Sequence, residues 1–393
     1  MPPDVTILAD DLSGAAEAAS AFLGRDLATT LVLEPAAVQH SGVTVVDMNT
    51  RPMAAVDAER RLRATLATVP TDRLVLCKID SLLRGHVGMT VDMLARRGPV
   101  VLAAGLPAQQ RTIRGGVPHV AGTPLRETDL WRLEAGDPPR RLTDLFDHRA
   151  WDCLAPNAIP LAAAAGAVAV CDITTDADLD AVVRIALKIP GVQFVGTSAL
   201  AAALARTRPA APATVAPGRR APVLVVAGTG APIVAEQVAA LRAGGAAHRA
   251  LTATNLLTGR FDADVDAVAA LLSRHPVTAV TVTGDVAPAR SSEIACQIGR
   301  FVDAVQRRAG VDPDLTLTGG ETARAVIDAL GIHTVRPVDA VHHGAVVNEA
   351  SDGRRIVTRP GSFGDRNSLV DIAIHLTSTQ TSDISPTTSR TPL

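Results

Sequence analysis

The stretch Leu315-Thr316-Leu317-Thr318-Gly319-Gly320-Glu321-Thr322-Ala323-Arg324-Ala325-Val326 reads as a short strand, a two-glycine turn and the first turns of a helix. A helix start leaves backbone N–H groups without intrahelical partners, and the helix dipole adds partial positive charge at the same place. Two glycines let a ligand approach the backbone with no Cβ in the way. The pattern predicts a phosphate site. A plain strand-to-helix connection capped by Thr318 or Thr322 would use the same residues.

Two more glycine turns lie in the same half of the chain. Val223-Leu224-Val225-Val226-Ala227 runs into Gly228-Thr229-Gly230-Ala231-Pro232, and the strand Arg354 to Thr358 runs into Arg359-Pro360-Gly361-Ser362-Phe363-Gly364. Strands are also expected over 277–282 and 333–336, an amphipathic helix over 291–308, and a last helix over 368–376. Three such turns predict a nucleotide-phosphate site more firmly than any one of them. A Walker A loop needs Gly directly before Lys, whereas Lys78 and Lys188 follow Cys77 and Leu187. The dinucleotide fingerprint needs glycine at the position of Ile233, which disfavours a standard nicotinamide site.

Upstream, composition changes at residues 206–222, rich in proline, alanine and arginine and without apolar periodicity. This predicts a linker between two domains, 1–205 and 223–376. The Ser/Thr/Pro-rich end, 377–393, is expected to be disordered. The fold class expected is α/β: each domain a mainly parallel sheet flanked by helices, with a cleft between the two.

The first domain opens with the apolar strand Val5-Thr6-Ile7-Leu8-Ala9, followed by Asp10-Asp11-Leu12-Ser13-Gly14 and a helix from Ala15 to Leu23. Asp11 or Ser13 could cap that helix; two adjacent acids past a buried strand also suit the sheet edge where open α/β sheets hold ligands. Strands 30–33 and 43–47 follow, then Asn49-Thr50-Arg51 and a helix over 54–67. The strand Leu74-Val75-Leu76-Cys77 ends in Lys78-Ile79-Asp80-Ser81-Leu82-Leu83-Arg84-Gly85-His86. A cation, an acid, a hydroxyl and a guanidinium thus fall close together at a strand end, and Arg84 could grip a carboxylate through two parallel hydrogen bonds. Strand 100–104 leads to Gln109-Gln110-Arg111-Thr112, and Gly115-Gly116 and Gly122-Thr123-Pro124 punctuate a hairpin. Three strand ends then deliver polar groups to one edge, the makings of a small-molecule pocket. Residues 131–149 read as a surface excursion, and Thr175-x-x-Asp178 as a capping box.

The formal net charge of −2 gives no reason to expect nucleic acid or an anionic membrane as partner. The four cysteines form no C-x-x-C pair, which argues against a zinc knuckle; no metal ligand set is evident. The longest apolar run, 159–170, is too short to span a bilayer. Met1-Pro2-Pro3-Asp4 has neither a basic n-region nor a long apolar h-region, so a cytoplasmic protein is expected. No exposed apolar stripe fixes an oligomeric state, and a homodimer stays open.

Four of these motifs, in this order, resemble those of the four-carbon acid sugar kinase family. Ala9-Asp10-Asp11-Leu12-Ser13-Gly14-Ala15 resembles its A-D-D-L-T-G-A, and Lys78-Ile79-Asp80-Ser81-Leu82-Leu83-Arg84-Gly85 its K-x-D-S-T-L-R-G. Thr318-Gly319-Gly320-Glu321-Thr322-Ala323 resembles its T-G-G-D-T-A, and Gly361-Ser362-Phe363-Gly364 its G-G-F-G. The resemblance implies a sugar-acid-binding first domain, a nucleotide-binding second domain, and ATP- and Mg2+-dependent phosphorylation of the terminal hydroxyl of threonate, erythronate or an oxo-tetronate. By matching position it places Asp10, Asp11, Ser81, Arg84 and Gly85 on the substrate side. Thr229, Gly319, Gly320, Glu321, Thr322, Gly361 and Ser362 fall on the nucleotide side. With Arg111 added to the substrate set, the catalytic candidates are Asp10, Asp11 and Lys78: an aspartate to take the hydroxyl proton, Lys78 or Ser81 on neighbouring oxygens, Arg84 on the carboxylate. Leu82 replaces a threonine, Glu321 an aspartate, Ala231 a serine, and Arg359-Pro360 the usual Lys-Ser. The rival readings are a non-catalytic sugar-acid-binding module and a sugar-acid dehydrogenase.

Overall fold

The computed structural model describes residues 4–33, 42–131, 134, 136–211, 221–228, 231–284, 290–361 and 363–378. Thr229, Gly230, Ser362, most of the expected linker and residues 379–393 lie outside that set. The chain divides into two compact units, Met1–Thr214 with His333–Pro337, and Val215–Ile332 with Val338–Leu393.

The first unit runs β1 (Val5–Ala9), α1 (Leu12–Ser20), β2 (Thr29–Val32), β3 (Val43–Asp47), α2 (Ala55–Thr68), β4 (Leu74–Lys78), α3 (Val87–Ala95) and β5 (Val100–Ala103). A hairpin excursion of β6 (Arg111–Arg114), β7 (Val117–Val120) and β8 (Thr123–Pro124) follows. The unit continues with β9 (Ala150–Cys153), α4 (Ile159–Ala164), β10 (Val168–Cys171), α5 (Asp176–Ala186), β11 (Gln193–Gly196) and α6 (Ser198–Arg206). Its main sheet has the order β2-β3-β1-β4-β11-β5-β10-β9, parallel throughout. β1, β3 and β4 are buried along their whole length, as unbroken apolar runs in a doubly covered parallel sheet should be. The apolar side chains of β4, β5 and β10 pack with those of α2 and α3 into one core.

Local sequence explains the element ends. α1 begins at Leu12 rather than Ala15 because Asp11, not Ser13, is the N-cap: its Oδ1 accepts the Gly14 N–H at 2.9 Å. Thr175 and Asp178 form the expected capping box at α5. The β6–β7 turn puts both Gly115 and Gly116 at positive φ, as a tight hairpin turn requires. Their N–H groups donate to the two carboxylate oxygens of Asp172, at 2.6 and 2.9 Å.

The second unit contains β12 (Val223–Ala227), α7 (Pro232–Ala243), β13 (Ala247–Thr252), α8 (Ala253–Leu257), α9 (Asp262–Leu272), β14 (Val277–Thr283), α10 (Ser291–Ala309), β15 (Asp314–Thr318) and α11 (Gly320–Ala329). It ends with β17 (Ala345–Ala350), β18 (Arg355–Arg359) and α12 (Ser368–Ser378), after β16 (Thr334–His342), whose opening residues belong to the first unit. There Thr334 and Val335 pair antiparallel with Val32 and Leu31 of β2. The order in the second unit is β13-β14-β12-β15-β18-β17, parallel up to β18, with β17 antiparallel. Val223, Val225, Val357, Leu369 and Ile372 are among the side chains of its core.

Candidate active site

In the first unit β3, β1 and β4 are neighbours, and Asp47, Ala9 and Lys78 lie abreast. The three segments leaving these strands therefore start level at the carboxyl edge, where the chain turns from one side of β1 to the other. That is the switch point at which open α/β sheets bind ligands. It carries Asp10 and Asp11, then Arg51, then Lys78 to Gly85.

Arg51 is the centre of the charge cluster. Its Nε and Nη2 donate to Asp10 Oδ2 and Oδ1 at 3.0 and 2.9 Å, and its Nη1 donates to Asp11 Oδ2 at 2.9 Å. Lys78, buried, holds its ammonium 4.0 Å from Asp10 Oδ1 and 3.8 Å from Asp11 Oδ1. It lies directly over Gly14, where an added Cβ would be 1.9 Å from Nζ; a side chain there would have to displace the ammonium. The two acids differ electrostatically. Burial pushes the Asp10 carboxyl above its ordinary value, against the pull of Arg51 and Lys78. Burial also raises Asp11, but Arg51, Lys78 and the Gly14 N–H outweigh it, and its carboxyl falls below the ordinary value.

The loop after β4 is organised by Asp80. Its Oδ2 accepts the N–H groups of Leu82 and Arg84 at 3.1 and 3.3 Å. Arg84 grips it with Nε and Nη2 at 2.7 and 2.9 Å. Burial raises the Asp80 carboxyl, yet the Arg84 hydrogen bond and the Arg51 and Arg84 charges hold it well below the carboxylate range. Leu83 adopts a positive φ of 64°, uncommon for a bulky side chain, and Trp131 Nε1 donates to Leu82 O at 2.7 Å. Gly85, at φ +81°, packs against Arg51; a Cβ there would be 3.3 Å from Arg51 Cγ.

Arg84, expected to meet a substrate carboxylate, thus has its fork occupied by Asp80. Arg111 is differently placed. It enters from the hairpin at the start of β6, and Nη1 donates to the neutral Ser81 hydroxyl. Its Nε is buried with no hydrogen-bond partner among the described residues, and burial pulls its pKa below the ordinary value. Arg51 was missed by reading the sequence. Its signal is position after a buried strand, but that β3 lies beside β1 is a fact of topology.

In the second unit the neighbours β12, β15 and β18 end abreast, with Ala227, Thr318 and Arg359 in register. The three glycine turns thus leave one edge at one level. Gly319, at φ +94°, precedes α11 and its N–H donates to Arg359 O at 3.0 Å. Glu321 is exposed in the first turn of α11, whereas Thr322 is buried. A Cβ on Gly228 would be 2.3 Å from Thr322 Oγ1, so Thr322 packs beneath the first turn. Gly361 opens the third turn, and Thr229 and Ser362 lie outside the described residues. Arg359, which stands with Pro360 in place of the family's Lys-Ser, is fully buried.

Comparison with known proteins agrees with this division. Residues 5–204 match the model of a sugar-binding N-terminal domain, and residues 224–369 that of a nucleotide-binding C-terminal domain. A D-threonate kinase of Cupriavidus necator is 30% identical, over 92% of this chain and 95% of its own. One of Bordetella bronchiseptica is 30% identical, over 94% and 97%. Among solved structures, a Salmonella typhimurium LT2 protein shares the fold with a TM-score of 0.78 at 20% identity, covering 94% of this chain and 98% of that one. Two domain models in the expected order and two kinases similar over nearly their whole length lead to one conclusion: the chain belongs to the four-carbon acid sugar kinase family, as a sugar-acid kinase.

Proposed function

We propose that the protein transfers the γ-phosphoryl group of ATP to the terminal hydroxyl of a four-carbon sugar acid of the threonate or erythronate type. The reading is carried by Arg111, the guanidinium of the first-unit cluster whose described hydrogen-bond partner is neutral. A substrate carboxylate there would complete its hydrogen bonding and its charge together, with Ser81 alongside. This moves carboxylate recognition from Arg84 to Arg111, leaving Arg84 to hold the loop through Asp80. The names of the curated relatives support a threonate-type substrate.

The two aspartates take separate roles. Asp11 caps α1 and stays ionised, fixing the charge frame with Arg51. Asp10, whose proton affinity is raised by burial, accepts the hydroxyl proton as oxygen attacks phosphorus. Lys78 steadies the oxygen that becomes anionic. At the second-unit edge, the backbone N–H groups from Gly320 onward, at the start of α11, suit a polyphosphate. Among the described residues no three His, Cys, Asp or Glu side chains gather as a metal cage; magnesium bound with ATP would neutralise phosphate charge while keeping several waters.

The test is ADP release with ATP and magnesium across threonate, erythronate and oxo-tetronates, beside the four-carbon alditol that lacks the carboxylate. The expected result is turnover of at least one acid and little of the alditol. Equal turnover of acid and alditol, or none of any acid, would overturn the proposal.

A further inference from the structure

We propose that Arg359 is a positioning residue that ties the glycine turns after β15 and β18 into one phosphate cradle; the inference rests on reading that edge as the nucleotide site. Arg359 is the last residue of β18 and its side chain is fully buried. A buried guanidinium normally meets a carboxylate. Here its hydrogen-bond partners among the described residues are neutral: Nη2 donates to Gln237 Oε1 and Nη1 to Ser368 Oγ, both at 2.8 Å, and Nε to Pro360 O at 3.4 Å. Burial lowers its pKa to about 10.

The neutral partners are arranged with a direction. A guanidinium only donates, so the amide oxygen of Gln237 must face it. That turns the Gln237 NH2 toward the loop after β18, where it lies 2.8 Å from Asp365 O and 3.3 and 3.4 Å from Phe363 O and Gly364 O. Gln237, on α7, is itself fully buried. On the other side, His342 Nδ1 is 3.0 Å from His343 O, an oxygen that only accepts, so in the neutral ring Nδ1 carries the proton. Its Nε2, 2.8 Å from Ser368 Oγ, then accepts the serine O–H. Ser368 is left to accept from Arg359 with a lone pair.

One residue therefore serves two turns. Its carbonyl takes the Gly319 N–H, and its side chain, through Gln237 and Ser368, fixes the 363–365 backbone and the start of α12. A lysine could not reproduce the planar fork that reaches Gln237 and Ser368 together. The arginine here is a strut beneath the cradle, too deep to be a flexible hand on the phosphates.

The experiment pairs steady-state kinetics with hydrogen–deuterium exchange on the full chain carrying Arg359→Met or Gln237→Leu. With Arg359→Met, which keeps the backbone carbonyl that takes the Gly319 N–H, exchange should rise in peptides covering 361–367 and the start of α12. With Gln237→Leu, which keeps the Arg359–Ser368 bond, it should rise in 361–367 alone. In both variants the KM for ATP should rise at least tenfold while the KM for the sugar acid changes less than twofold. An unchanged ATP KM, or both KM values rising in step, would overturn the role. If Arg359→Met does not fold, Gln237→Leu carries the test, and unchanged exchange at 361–367 overturns it. The two readings fail separately: absent ATP turnover in the unmodified protein refutes the kinase proposal, whereas exchange is read without turnover.

Discussion

Replacing Arg51 with methionine keeps most of its aliphatic contact with Gly85 and removes the charge between Asp10 and Asp11. Both carboxylates are left in a site where their side chains are 14% and 21% exposed, with the Lys78 ammonium no nearer than 3.8 Å. Deleting one partner of a buried pair costs about 3–5 kcal/mol; with this much residual exposure the lower end, about 3 kcal/mol, is expected. For a unit of this size that corresponds to a fall of about 6–12 °C in melting temperature at neutral pH. The pH dependence has a definite sign. Without Arg51 both carboxyls bind protons more tightly in the folded state than in the unfolded chain. Stability from a raised carboxyl is present at low pH and lost as pH rises through its folded pKa. The deficit of Arg51→Met should therefore narrow as pH falls from 7.5 toward 4.5. Differential scanning fluorimetry at the two pH values reads both effects. A loss under about 2 °C at pH 7.5, or a deficit that stays constant on acidification, would refute the account of Arg51 as the charge frame of the site.

The division of labour between the aspartates predicts that Asp10→Asn cuts kcat by roughly 10²–10⁴-fold and abolishes the acidic limb of the kcat/KM profile. That limb should lie above the ordinary aspartate value of 3.8, activity falling as pH drops through it. Asp11→Asn should keep the limb and show its effect mainly in thermal stability. Arg111→Ala should raise the KM for the sugar acid roughly 10- to 100-fold, as for loss of a charged hydrogen bond, without changing the KM for ATP; an unchanged acid KM sends carboxylate recognition elsewhere. Gly14→Ala should push aside both the Lys78 ammonium and the Asp11 carboxylate that caps α1, since an added Cβ would be 1.9 Å from Nζ and 2.6 Å from Asp11 Oδ1. Turnover should then drop by about 100-fold and the melting temperature should fall with the disturbed cap of α1, as ADP release and fluorimetry would record.

Apolar runs located the buried parallel strands closely: β1 and β3 begin and end where the sequence suggests, and β4 extends one residue further. β13 was not legible because Ala-His-Arg-Ala-Leu-Thr, half solvated at the end of its sheet, offers no apolar run. β17 pairs antiparallel in a segment where Asn348 and Glu349 interrupt the pattern. The three glycine turns could be counted in the sequence, but that β12, β15 and β18 stand side by side is decided by pairing across long separations. Arg51 stayed hidden for the same reason. The pairing of Arg84 with Asp80 was not legible because the two sit four residues apart in a loop, where spacing says nothing about contact. The depth of Arg359 was also invisible: Arg-Pro-Gly reads as surface, and only the packing of α7 and α12 makes it interior.

Thr334 and Val335 close the outer edge of β2 in the first unit, and this gives folding during synthesis an order. When residues 1–214 have been made, β2 still presents unsatisfied backbone groups along one side. About 120 further residues must be added, which takes roughly 6–24 s at typical elongation rates. For that interval the nascent unit carries an open strand edge, the surface on which chains pair wrongly. A fragment ending before residue 333 would keep that liability permanently, whatever chemistry its remaining residues retained.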